Sequence, residues 1–155
     1  MNIPLYNLFI LCYNITMRLW HKRLIPYLPQ KQLVAQWREC CAIARNIAVN
    51  GTPNHLLVNK ILEFPTIHFF IYSSMVVEEM MNRGYKVSKS SLDNFQKNYE
   101  KFEDDRLETV DIFSRWHNDR YLRQCLFNLQ EKYDCGGISE YCWTKIMDEF
   151  GEYLR

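Results

Sequence analysis

The run FPTIHFFIYSSMVVEEMMNRG, from Phe64 to Gly84, constrains the fold most. Pro65 suits the start of a helix and Gly84 its end. Between them apolar residues surround most of the circumference, which predicts a buried central helix. His68 lies in that run and is expected to be a satisfied core histidine. A second segment, QKQLVAQWRECCAIARNIAV, repeats Leu33, Trp37, Cys41, Ala44 and Ala48 at spacings of four and three, the apolar stripe of another helix. Pro29 suits its first turn and Asn50-Gly51 its C-terminal cap. Ahead of it, Pro26 and Pro29 predict an extended path through LIPYLP. Residues 55–62 read as a short helix, and residues 88–111 as a helix with loops. Ser114 to Gly137 reads as an amphipathic helix with Trp116, Leu122, Cys125, Leu126 and Leu129 inward, and Ser139 with Glu140 starts a last helix through Phe150. No alternating strand pattern competes, so the expected fold class is all-α, compact around the central helix.

A chain of 155 residues that is 48% hydrophobic suffices for one packed domain, expected over residues 17–155. Residues 1–16, MNIPLYNLFILCYNIT, carry no charge, and charge begins abruptly at Arg18. Their apolar part is shorter than the roughly 20 residues a membrane span needs. They also lack the basic n-region and small-residue cleavage site of a secretory signal. They are expected to be an extension preceding a working start at Met17. The six cysteines, Cys12, Cys40, Cys41, Cys125, Cys135 and Cys142, form no CxxC and no zinc-type spacing with histidine. Free thiols in a reducing cytoplasm are expected, with no metal and no membrane association.

The formal net charge is only +1, but its distribution is uneven. From Arg18 to Lys60 the basic residues are Arg18, Lys22, Arg23, Lys31, Arg38, Arg45 and Lys60, and the only acid is Glu39. The stretch EKFEDDRLETVD, from Glu100 to Asp111, is mostly acidic. Such separation lets a nearly neutral domain offer one face to a polyanion. Lys31, Arg38 and Arg45 are seven residues apart, so they align on one helix face, and Gln32, Glu39 and Asn46 form the neighbouring polar row. Glu39 has no cation three or four residues away, which argues against an ordinary helix-surface ion pair. A carboxylate in a cationic groove can stabilise an oxocarbenium ion and shuttle protons beside a nucleotide sugar. Cleavage through a covalent adduct also needs an amine nucleophile, and an α-amine with a pKa of about 7.7–8.0 is well suited. The segment WHNDR, Trp116 to Arg120, is expected to be helix surface with local ion pairing.

From Met17, MRLWHKRLIPYLPQKQLVAQWRECC resembles the N-terminal region of the pyrimidine-dimer DNA glycosylases, small all-helical repair enzymes of phage and bacteria. The likeness rests on the triplet Trp37-Arg38-Glu39 at a fixed distance from Met17, on the turn Val49-Asn50-Gly51, and on Glu79, Arg83, Gly84 and Tyr85. It covers roughly residues 17–87. The segment WHNDRYLRQCLFNLQEKYDCGG is similar to a bacterial branch of the same family. The resemblance implies glycosylase and β-elimination lyase activity on pyrimidine dimers in double-stranded DNA, without a small-molecule cofactor, by a monomer. It implies Glu39 as the catalytic carboxylate and the terminal α-amine, at Arg18 or at a retained Met17, as the nucleophile. Arg38, Arg45, Lys31, Lys22, Arg23 and His21 would hold phosphate. Gln32 stands where the family has a histidine, and Ala42 where it has an arginine. The alternative is a catalytically silent nucleic-acid-binding or helical interaction protein of the same fold.

Overall fold

The computed structural model describes residues 17–106 and 111–155; the expected extension at residues 1–16, with Cys12, lies outside the described residues. Five α-helices are described: α1 (Gln30–Asn50), α2 (Thr66–Asn82), α3 (Lys89–Tyr99), α4 (Asp119–Asp134) and α5 (Glu140–Phe150). Short 3-10 turns occupy Lys22–Tyr27, Asn59–Glu63 and Gly151–Leu154. No strand occurs among the described residues, and the fold is all-α. α1 packs on α2 and α3, and α4 packs on α5. The 3-10 turn at Lys22–Tyr27 joins the two groups by touching both α2 and α5.

Pro29 caps α1 with an extended backbone, and Gly51 closes it in the left-handed region at φ 73°, its N–H donating to the Ile47 carbonyl at 2.8 Å. The buried face is Leu33, Gln36, Trp37, Cys40, Ile43, Ala44 and Ile47. Cys41 and Ala48, expected inward, are only half-buried. Two successive steps of four residues drift by about 80° around a helix, so Cys41 leaves the face on which Leu33 lies. α2 departs from expectation in a similar way. Its inner face, His68, Phe69, Tyr72, Ser73, Val76 and Met80, is buried, but Ser74, Glu78 and Met81 face out. The eleven-residue α3 covers it only in part, chiefly through Phe95, whose ring lies 5.8 Å from that of Phe69.

LIPYLP is not extended. Leu24 N–H donates to the His21 carbonyl at 2.8 Å and Leu28 N–H to the Leu24 carbonyl at 2.9 Å, and Pro26 lies within the turn between them. The short helix expected at 55–62 is the 3-10 turn Asn59–Glu63. Trp116 is buried as expected but precedes its helix, which starts at Asp119 after the Asn118 side chain accepts from Tyr121 N–H at 3.0 Å. His68 is a core histidine whose Nδ1 accepts from Phe113 N–H at 3.1 Å. No helix among the described residues is long and apolar enough to cross a membrane.

Candidate active site

The chain enters α1 through residues 17–21, and this segment is fixed by polar contacts on two sides. Facing α1, Trp20 N–H donates to Gln36 Oε1 at 2.8 Å, and Gln36 Nε2 donates to the Arg18 carbonyl at 2.9 Å. The single hydroxyl proton of Tyr72, wholly buried in α2, is shared between the Trp20 carbonyl at 2.7 Å and Gln36 Oε1 at 2.9 Å. Facing α4 and the loop before it, Tyr121 donates to the Leu19 carbonyl, and His21 Nε2 donates to the His117 carbonyl at 2.8 Å. His117 Nδ1 accepts from Lys22 N–H at 3.0 Å.

These contacts bring Arg18 against Glu39. The Arg18 backbone N–H lies close enough to the Glu39 carboxyl to favour its charged form, and Gln36 Nε2 donates to Glu39 Oε2 at 3.0 Å. Burial pushes the Glu39 carboxyl up to about 7. The Arg18 N–H and the charges of Arg18, Arg38 and Lys132 oppose the rise without cancelling it. The carboxyl is therefore poised between acid and base near neutral pH, the condition under which one group can both give and take a proton.

Glu39 opens into a hollow of about 850 Å³ lined also by Arg18, Trp20, Lys31, Gln32, Arg38, Asn128 and Lys132. That volume is within the usual range of ligand sites. Lys31 and Arg38 are exposed at its rim, and the Arg18 guanidinium lies 5.1 Å from the centre of the Trp20 ring. Gln32 Oε1 is buried there without a hydrogen-bond partner. A second hollow of about 500 Å³ shares Arg38 and continues to Arg45, Ser91, Asn94 and Asn98. The stripe expected from spacing thus runs across two adjoining concavities.

Three of the residues expected to contact phosphate lie away from the hollow at Glu39. His21 is 2% exposed, stacked at 5.1 Å on His117, and held neutral by burial at a pKa of about 4, so it cannot offer a charge to phosphate. Lys22 Nζ is taken by Asp111 and by the Ile112 carbonyl, at 2.6 Å. Arg23 is exposed but lies over Phe150 and Tyr153, donating to the Tyr153 hydroxyl at 3.0 Å. None of the three lines the hollow at Glu39. WHNDR is likewise not simply helix surface: Trp116 and His117 are buried ahead of α4, and only Asn118, Asp119 and Arg120 are exposed. Met17 is 3% exposed and packs in the core.

Sequence reasoning missed Gln36, Lys132 and Asn128. Gln36 stands three residues before Glu39 and was visible only as a non-cationic neighbour. Lys132 and Asn128 come from α4, and nothing in their own segment marks them as facing α1. Among the described residues no group of three or more His, Cys, Asp or Glu side chains could hold a metal ion. The cysteines Cys40, Cys41, Cys125, Cys135 and Cys142 are free, and burial keeps Cys40 and Cys41 protonated.

Fold and site define a small helical protein with a titratable carboxylate in a cationic hollow, set against the backbone of its own N-terminal segment. The family model described as pyrimidine dimer DNA glycosylase matches residues 17–93, about half of the chain, and through this span the chain belongs to that family. No curated protein and no solved structure matches it.

Proposed function

We propose that the protein is a DNA glycosylase with β-elimination lyase activity on pyrimidine dimers in duplex DNA. The observation that carries the reading is that Gln36 ties both the Arg18 backbone and Glu39, which brings the Arg18 nitrogen beside a carboxyl of raised pKa inside a hollow lined by cations. In a chain that starts at Arg18 this nitrogen is the α-amine. With Met17 retained the amine is one residue farther, about 3.5 Å along an extended backbone. Arg18 is therefore the preferred nucleophile of the two.

Arg38, Lys31 and Lys132 hold the phosphates flanking the damaged nucleotide, and Arg45 extends the grip along the backbone. The neutral α-amine attacks C1′ of the sugar as the bond from C1′ to the base nitrogen breaks. The leaving base nitrogen takes its proton from water, and the Glu39 carboxylate, on the amine side, stabilises the positive charge developing at C1′. The carboxylate next takes a proton from the amine nitrogen and passes it to the ring oxygen as the C1′–O4′ bond breaks, which gives a protonated imine between the α-nitrogen and C1′. The Glu39 carboxylate then takes a C2′ proton, and electrons moving through the protonated imine expel the 3′ phosphate and nick the strand. Hydrolysis of the imine returns the amine.

A chain starting at Arg18 and the 155-residue chain are incubated with ultraviolet-irradiated duplex and borohydride. The short chain is expected to be trapped as a stable amine adduct, and the long chain is not. Equal trapping of both assigns the nucleophile to a side chain. Binding without trapping by either leaves a catalytically silent DNA-binding protein.

A further inference from the structure

Gln36 is wholly buried although its side chain is a polar amide. Both donors and the carbonyl oxygen of its amide are used, and the oxygen also shares the Tyr72 hydroxyl proton with the Trp20 carbonyl. Oε1 accepts from Trp20 N–H at 2.8 Å and from the Tyr72 hydroxyl at 2.9 Å. Nε2 donates to the Arg18 carbonyl at 2.9 Å and to Glu39 Oε2 at 3.0 Å. The backbone partners fix which end is which: Trp20 N–H can only donate and the Arg18 carbonyl can only accept. The amide therefore cannot flip, and its remaining N–H must point at Glu39 whether that carboxyl is charged or neutral.

We propose that Gln36 is a positioning residue that sets the register of the N-terminal segment on Glu39, holding the carboxylate and the Arg18 nitrogen together. An apolar side chain of similar shape would leave the Trp20 N–H and the Arg18 carbonyl without these partners. What the amide adds is a tie on both sides of Arg18: its carbonyl is held by Gln36, while its nitrogen meets the carboxylate that Gln36 also holds. Slippage of the segment by one residue would break the bonds to Arg18 and Trp20 together, and Tyr72 guards against it by binding both Gln36 and the Trp20 carbonyl. The register then decides which backbone nitrogen faces the carboxylate. As a donor to Glu39, Gln36 also favours the charged form and works against the burial that raises that group.

The part played in cleavage rests on the glycosylase reading; the hold on Glu39 does not. Gln36→Met keeps the length and removes every donor, while Gln36→Glu keeps an acceptor toward Trp20 and Tyr72 and removes the donor toward Glu39. In chains starting at Arg18, Gln36→Met is expected to cleave irradiated duplex about 10- to 100-fold more slowly in a single turnover, the scale of one hydrogen bond to a charged group. Affinity for that duplex stays within about twofold, because the phosphate grip is untouched. The acid limb of the pH–rate profile and the Glu39 carboxyl resonance, followed by carbon NMR, both titrate at higher pH than in the parent. An unchanged Glu39 titration overturns the proposal, and so does a slowing matched by an equal loss of DNA binding. Where Gln36→Met does not fold, Gln36→Glu is read in the same way; failure of both to fold makes Gln36 a structural residue and also overturns it. A parent chain that neither cleaves nor is trapped defeats the glycosylase reading, while the NMR titration still decides the hold on Glu39.

Discussion

The two flanks of residues 17–22 use burial to opposite ends. On the α1 flank, burial lifts Glu39 to about 7, and the carboxyl still faces an open hollow lined by Arg18, Lys31, Arg38 and Lys132. On the α4 flank, burial lowers His21 to about 4 and His117 to about 2, and both rings are closed off from solvent. Each His21 nitrogen and His117 Nδ1 meets a backbone partner, which fixes both tautomers. One flank keeps a titratable group accessible, and the other removes two from use. The difference teaches that a perturbed pKa marks a candidate site only where the group can still be reached. It also separates duties: the α4 flank anchors the segment so that the α1 flank can present it.

Glu39→Gln tests the separation with the largest effect. Cleavage should fall by roughly 10²- to 10⁴-fold, the usual worth of acid–base assistance. Its melting temperature should not fall, since an amide in this hollow carries no charge to desolvate. Single-turnover assays on irradiated duplex and calorimetry check the two halves. Near-parental cleavage would remove Glu39 from the chemistry.

His117→Ala should invert that pattern. It deletes a buried ring and the acceptor for Lys22 N–H, which together cost about 3 kcal/mol. The melting temperature should fall by about 6–12 °C. Borohydride trapping well below that temperature should persist at a reduced level. Complete loss of trapping in a folded variant would place His117 in the chemistry and end the division between flanks.

The flanks also carry opposite pH dependences. The histidines have folded values below the ordinary 6.5, so between about pH 6.5 and 4 the unfolded chain binds more protons, and stability falls on acidification. Glu39 has a folded value above the ordinary 4.5, so between about pH 4.5 and 7 the folded chain binds more, and stability falls as pH rises. At pH 8 Glu39→Gln should therefore melt higher than the parent, by on the order of 1 kcal/mol after allowing for solvent access to the hollow. A lower melting temperature for Glu39→Gln at pH 8 would contradict the raised carboxyl.

The smallest effect belongs to the rim. Replacing Arg38 and Arg45 together by Gln should weaken binding to all duplexes alike and reduce the slope of log K against log salt by about 2. The same exchange at Lys22, whose ammonium is paired with Asp111, should leave that slope nearly unchanged. An equal change from Lys22 would mean the cation leaves Asp111 to meet DNA.

The sequence by itself determined the all-α class, because its apolar periodicities are local and helices are closed by local hydrogen bonds. It marked Pro29, Gly51, Pro65 and Ser139 as helix boundaries for the same reason, and it singled out Glu39 because the lack of a helical cation partner can be read from spacing alone. Only the tertiary structure decided which cations share a surface with it. Lys22 and His21 look like Lys31 in a charge count, but the segments from 111 and 117 close over them. Lys132, more than ninety residues from Glu39 along the chain, joins the hollow from α4. The raised carboxyl and the four-bonded Gln36 were equally out of reach of the sequence. Desolvation and a saturated amide depend on every neighbour in space, and most of those neighbours are not near in the chain.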